Sequence, residues 1–248
     1  MYKRQAHRKI ELTEAGSLLL PYVKNVVEQY HAMQEVLETY TQENNLSLNI
    51  LTIPTMINYQ GFSKITEFLK HHPEFTVQLK EVESIELTYD DTNEHSDTIH
   101  FARSFQAPPS SIEWLPTETD DFVAVLPKTH PLAAKKKLDL SELKKENFLV
   151  LGPTTNLYQP VLDLCREAGF EPRISYKGSR TDLIINMIAN DMGIAIVMEK
   201  TVKNLLKENT VILPISPTKE SYLAFTRKIG EHSLASDTFW EYLKQEEN

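Results

Sequence analysis

The chain has 248 residues, 41% hydrophobic and 25% charged, with 26 Lys+Arg against 35 Asp+Glu and a formal net charge of −9. That is enough for one large or two medium globular domains, and the acidity argues against a whole-body electrostatic grip on DNA or an anionic membrane. Cys165 is the only cysteine, which excludes an internal disulfide and a thiolate metal cluster, and seven scattered glycines allow no dinucleotide fingerprint, phosphate loop or nucleophile elbow.

The charge is unevenly spread. Residues 1–9 carry Lys3, Arg4, Arg8 and Lys9 and no acid, so a basic head of +4 precedes a body of −13 within the net −9. No apolar run reaches the ~18 residues of a membrane span and no signal-peptide core opens the chain, so a cytoplasmic location is expected.

Residues 12–40 hold the clearest periodicity. Leu12, Gly16, Leu19, Val23, Val26, Tyr30, Met33, Leu37 and Tyr40 step alternately by four and three, with charged and amide residues between them. Such a seam is expected of a coiled coil, the alternative being a long surface helix packed on its own domain. Thr13 is placed to cap its start, Glu14 suits the positive helix end, and Pro21 should bend it or loosen its first turn. Thr41–Asn45 reads as a hinge.

Beyond it, strands and helices alternate. Strands are expected at Leu48–Ile53, Phe75–Val82, Ile99–Arg103, Phe122–Leu126, Phe148–Leu151, Ile174–Tyr176, Ile194–Val197, Val211–Ile215 and Tyr222–Thr226. Helices are expected at Gly61–Lys70, Tyr158–Ala168 (stopped by Gly169), Asp182–Asp191, Val202–Lys207 and Asp237–Gln245. Near-continuous apolar strands alternating with helices imply an α/β architecture with mostly parallel sheets, in two lobes divided near Pro127–Pro131.

Dedicated chemistry is hard to write into this chain. His71 and His72 point ~100° apart on a helix and suit its cation-favouring end better than a metal. The adjacent pairs Asp90–Asp91, Asp120–Asp121 and Glu246–Glu247 read as solvated turns or helix ends, as does the run Lys135–Lys137. Three strand-end turns remain: Pro54-Thr55-Met56, Gly152-Pro153-Thr154-Thr155-Asn156 and Gly178-Ser179-Arg180-Thr181. Ligands in open α/β sheets bind beyond the carboxyl ends of strands, and these hydroxyls, with Arg103 at another strand end, suit a small anion such as a carboxylate. The same residue types also serve as plain helix caps.

Several segments resemble the LysR-type transcriptional regulators. Residues 1–4 through Glu11-Leu12-Thr13-Glu14-Ala15-Gly16 are similar to that family's wing and the opening of its linker helix. Val125-Leu126-Pro127-Lys128-Thr129-His130-Pro131-Leu132-Ala133 resembles its crossover, and Ile188–Val197 its helix-to-strand passage in the second lobe. The resemblance implies an α/β fold with a two-lobed, periplasmic-binding-protein-like effector domain behind a long coiled-coil linker helix.

It divides the chain into a wing remnant of a winged helix-turn-helix (1–12), a dimerisation helix and hinge (13–45) and an effector-binding domain (46–248), with lobe 1 at about 46–122 and 225–248 and lobe 2 at about 123–224. It places effector contacts at Thr55, Met56, Ser84, Arg103, Ser179 and Arg180, to which the strand-end argument adds Thr154 and Thr155. The wing residues Lys3, Arg4, Arg8 and Lys9 would meet DNA phosphates, and Leu19, Val23, Val26, Tyr30, Met33 and Leu37 would form the dimer seam.

The implied partners are a second copy in a homodimer or tetramer, a small anionic effector and, in the intact form, DNA and RNA polymerase, with no metal, cofactor, membrane or catalytic residue. The sequence departs from the family pattern at the front, opening partway through the wing without a recognition helix, and at Leu51 and Asp191, where glycines are usual. A plain solute-binding protein, or an enzyme on the same scaffold, are the alternatives.

Overall fold

A computed structural model describes residues 12–42, 46–84, 87 and 97–245, excluding the side chains of 34–42. The wing residues Lys3, Arg4, Arg8 and Lys9, and the side chain of Leu37, lie outside the described residues. The chain divides into two compact units, Met1–Leu46 and Ser47–Asn248.

The first unit holds one helix, α1 (Glu14–Gln42). Thr13 caps it, its side-chain oxygen accepting the Gly16 N–H at 3.1 Å. Pro21 lies inside α1 and removes a backbone donor, yet the helix continues to Gln42. Leu19, Val23, Val26, Tyr30 and Met33 are each more than half exposed on this single chain.

The second unit contains strands β1 (Ser47–Thr52), β2 (Thr76–Glu81), β3 (Ile99–Ser104), β4 (Ile112–Pro127) and β5 (Leu138–Asp139), with helix α2 (Gln60–His71) after β1. Then follow β6 (Asn147–Leu151), α3 (Tyr158–Glu167), β7 (Arg173–Gly178), α4 (Thr181–Ile188), β8 (Ala195–Met198) and α5 (Glu199–Lys203). The last elements are β9 (Thr210–Ser216), β10 (Glu220–Lys228) and α6 (Leu234–Gln245). No described helix is long and apolar enough to cross a membrane.

One curled sheet runs in the order β2-β1-β3-β10-β4-β9-β5, with β8 also paired to β4, and β6 and β7 form a second, two-stranded sheet. The expectation of mostly parallel sheets is corrected. β1 runs parallel to β2 and β3, β5 to β9 and β6 to β7, while β10 pairs antiparallel with β3 and β4, and β4 antiparallel with β8 and β9. The antiparallel pairings all involve β4 or β10.

β4 is the spine. Its first part, Ile112–Asp121, pairs with β10, and its last part, Phe122–Pro127, pairs with β8 and β9. Only the last part was expected as a strand, because residues 116–121 read Pro-Thr-Glu-Thr-Asp-Asp, a polar run with no apolar alternation. β4 therefore divides two lobes. The first holds β1–β3, β10, α2, α6 and the start of β4; the second holds β5–β9, α3–α5 and its end.

Each lobe has its own core. In the first, Phe68 packs on Phe239 (ring centroids 5.0 Å apart) and Phe101 on Phe225 (4.9 Å). In the second, Phe122, Ala124 and Leu126 face a cluster with Phe148 and Leu164, whereas Val123 and Val125 face one with Ile184 and Ile188. Burial on both faces explains the continuous apolar run Phe122–Leu126. α3 ends at Glu167 and Gly169 turns the chain away after it, its φ of +85° being open to glycine, with Phe170 N–H returning to Cys165 O at 3.0 Å. α4 stops at Ile188 rather than Asp191, since Asp191 adopts φ +56° and turns the chain away. α5 starts at Glu199, earlier than the expected Val202, and ends at Lys203.

Gly61 opens α2 against the fully buried Phe101, and a methyl group there would overlap that ring. Gly61→Ala should lower the unfolding free energy by about 1–3 kcal/mol through overpacking, read as a lower urea midpoint.

Candidate functional site: a cleft between the lobes

The ends of parallel strands converge on one cleft. The first lobe contributes Ile53, Pro54 and Thr55 after β1, Glu83 and Ser84 after β2, and Arg103 on β3. The second contributes Leu151 at the end of β6 with Thr155 and Asn156 after it, Ser179 and Thr181 after β7, Val197 on β8 and Thr201 on α5. The cavity itself measures about 60 Å³, or about 580 Å³ when its open mouth is counted, and an adjoining recess is lined by Arg103, Phe105, Thr155 and Tyr158.

Of the expected contacts, Thr55, Ser84, Arg103, Thr155 and Ser179 line this cleft. Three expected contacts do not. Met56 turns inward and is buried, because it begins the 3₁₀ turn Met56–Asn58 that folds under β1. Thr154 is exposed, and Asn156 lines the cleft in its stead. Arg180 faces solvent, its guanidinium forked onto Asp182 in the first turn of α4 (Nε to Oδ1, 3.0 Å).

The lining side chains also hold the protein together. The backbone N–H of Asn156 donates to Ser84 Oγ at 3.0 Å, and its amide donates to Ser84 O at 3.1 Å, tying the lobes across the mouth. Thr155 Oγ1 donates to Gly152 O at 2.9 Å, closing the turn after β6. Ser179 and Thr55 lie at the strand ends on opposite sides of the cleft.

Arg103 is the cation of the cleft lining, but its charge is already answered. Its side chain is 4% exposed and Nη2 lies 3.4 Å from Oδ2 of Asp120, itself 1% exposed. Arg103 also donates to Ser221 Oγ and to the Tyr59 hydroxyl, and its guanidinium sits 5.2 Å from the Tyr59 ring centroid. Tyr59 donates to Asp120 Oδ2 at 2.8 Å and shares a 2.7 Å hydrogen bond with Thr201 Oγ1 of the second lobe. Burial pushes the Tyr59 hydroxyl pKa far up; Arg103 pulls against this and Asp120 adds to it.

Tyr59, Thr201, Ser221 and Asp120 were not among the expected site residues, and the reading of Asp120 as part of a solvated pair is corrected. Asp120 points inward from β4, while Asp121 takes the opposite face. The usable signal was period-two spacing: Glu118, Asp120 and Phe122 share a face.

Residues 41–248 match the LysR substrate binding domain. The chain belongs to that family. It carries the effector-binding domain of a LysR-type transcriptional regulator. Over 248 residues it is 23% identical to the transcriptional dual regulator GltC of Bacillus subtilis (strain 168), covering 99% of this chain and 82% of that protein. The regulatory domain of CcmR from Synechocystis PCC6803, solved with 2-PG, superposes with a TM-score of 0.69 at 20% identity, over 80% of this chain and 96% of that one. The effector-binding domain of QuiR, solved with shikimate, gives a TM-score of 0.68 at 22% identity, over 82% and 97%. The LysR effector domain thus accounts for the periplasmic-binding-protein-like arrangement, in which β4 and the β9–β10 passage link the lobes.

Tyr59→Phe should cost about 1–3 kcal/mol, since it strips a hydrogen-bond partner from buried Asp120 and Thr201. The folded chain holds Tyr59 neutral while the unfolded chain ionises it near pH ~10, so stability should fall as pH rises above that point. Burial also pushes the Cys165 thiol up to about 12, adding a fall from pH ~9. Urea midpoints between pH ~8 and ~11 should decline less steeply in Tyr59→Phe than in wild type.

Proposed function

We propose that this chain is the sensing part of a homo-oligomeric, cytoplasmic transcription regulator. A small anionic metabolite enters the interlobe cleft and favours one lobe arrangement. The observation that carries this reading is the convergence of Thr55, Ser84, Thr155 and Ser179 from both lobes on one cleft that also reaches Arg103. The CcmR and QuiR domains, solved with 2-PG and shikimate, support a ligand of that size and kind. Because Asp120 answers the charge of Arg103, a bound carboxylate relies on hydroxyl donors as much as on the guanidinium. The apolar stripe of α1 joins two copies, so a shift in the lobes alters the spacing of DNA-binding heads. In the intact regulator Lys3, Arg4, Arg8 and Lys9 touch phosphates, and DNA and RNA polymerase are the partners. The reaction is binding, not catalysis.

The test is a thermal-shift and calorimetric titration of the full chain against small carboxylates and phosphorylated acids, shikimate and benzoate among them. A true effector at ~100-fold its Kd should stabilise the fold by about 2.7 kcal/mol. Ser179→Trp, which fills the cleft, should weaken that ligand at least tenfold while the far-ultraviolet spectrum is unchanged. A panel without a hit, or binding unaffected by Ser179→Trp, would overturn the reading. The oligomer is tested separately: Val26→Glu with Met33→Glu should turn a sedimenting dimer into a monomer, because each places a charge in an apolar seam. An undiminished dimer would sink the assignment of α1.

A further inference from the structure

Two carboxylates on β4 divide their oxygens between the lobes. Glu118 Oε1 accepts the backbone N–H of Gln60 at the start of α2, and its Oε2 accepts Nζ of Lys200 on α5. Asp120 Oδ2 accepts the Tyr59 hydroxyl at 2.8 Å, and its Oδ1 accepts the backbone N–H of Lys200 at 3.1 Å. Residues i and i+2 of a strand share a face, so the two form a single row. The row looks toward the junction where α2 of the first lobe meets α5 of the second, and the Tyr59–Thr201 bond closes it at 2.7 Å. Both carboxylates are almost fully removed from water, with side chains 6% and 1% exposed. In that setting each hydrogen bond is strengthened and each lost partner is costly.

We infer that Glu118 and Asp120 form a hinge clasp, positioning residues that set the placement of one lobe against the other. The lobes are joined covalently through β4 and the β9–β10 passage, and a strand can twist. The clasp resists this twist by giving both carboxylates fixed donors on each side. It also fixes two side chains of the cleft wall. Asp120 orients Arg103, and Tyr59, held by Asp120, orients Thr201. A ligand touching Arg103 or Thr201 therefore acts on groups that hold the lobes. That last step rests on the sensing reading, whereas the clasp itself does not depend on any ligand.

The experiment measures lobe placement without a ligand, so its outcome is independent of the sensing reading. Nitroxides are attached to the full chain at Lys80→Cys on β2 and Arg173→Cys on β7, both exposed, while Cys165 is buried. Labelled chain is diluted into unlabelled chain, and the intramolecular distance distribution is read by pulsed electron resonance. Glu118→Gln keeps an acceptor for Gln60 but turns an amide toward Lys200, and Lys200→Met removes the ammonium from the other side. Both should widen the distribution about twofold or split it into two peaks, as a released hinge samples discrete arrangements. Lys135→Met, which breaks the exposed Lys135–Glu142 bond within the second lobe, should leave it as in wild type. A melting temperature that falls in Glu118→Gln and Lys200→Met while the distribution stays single and unshifted would mean ordinary stabilisation and would overturn the clasp. Should Glu118→Gln fail to fold, Lys200→Met decides alone, because the Lys200 side chain is a third exposed and tolerates the change.

Discussion

A guanidinium and a carboxylate taken out of water lose several kcal/mol of hydration each, and the protein must return it through close partners. The Arg103–Asp120 pair imposes that demand on the whole second unit. Asp120 sits on β4, Arg103 on β3, and β10 lies between them in the sheet, supplying Ser221 Oγ to Arg103. Tyr59 must then stand at the mouth of α2 and Thr201 on α5 for the remaining valences to be met. Loss of either charge leaves the other buried and unpaired, at a cost of about 3–5 kcal/mol. The pair, itself on β3 and β4, thus reaches three further segments distant in the chain and sits at the point where the lobes part. A region so tightly satisfied is stiff, which suits a boundary between two bodies that must keep a defined relation.

The outlines of the fold are more legible in the sequence than the junction between the lobes. Apolar runs such as Phe122–Leu126 and Ile194–Val197 signal strands because burial on both faces leaves no polar alternation to obscure them. Gly169 signals a helix end because only glycine readily takes its backbone angle. The first part of β4 escapes notice for the opposite reason. Its inward-facing residues Glu118 and Asp120 are charged because they bond across the junction rather than pack in a core, and a polar run without apolar alternation looks like a turn. The strand order was equally hidden, as antiparallel pairing arises from where β10 returns, a long-range fact without a local signature.

The candidate site divides in the same way. Strand-end hydroxyls at Thr55, Thr155 and Ser179 were legible because the carboxyl ends of strands are where open sheets leave room. Arg103 was legible as a cation but not as a neutralised one, for its answering carboxylate lies 17 positions later on another strand. Met56 and Arg180 shared the same turns as true lining residues yet point elsewhere, one into the core and the other to Asp182. A turn's location follows from sequence; the direction of each side chain around it is settled by neighbours that only the fold assembles.

The path of the chain through the lobes has a consequence for how it is made. The second lobe is continuous, from the middle of β4 to the end of β9, whereas the first is interrupted by it and finishes only with β10 and α6. β3 has no neighbour on one side until β10 pairs with it, and Phe68 meets Phe239 only when the last helix is present. During synthesis the second lobe can close while the first still waits for the final residues, so the earliest segments of the domain are the last to be secured. An interrupted translation product would leave a folded second lobe beside an open sheet edge, the form most exposed to proteases and to pairing with the wrong chain.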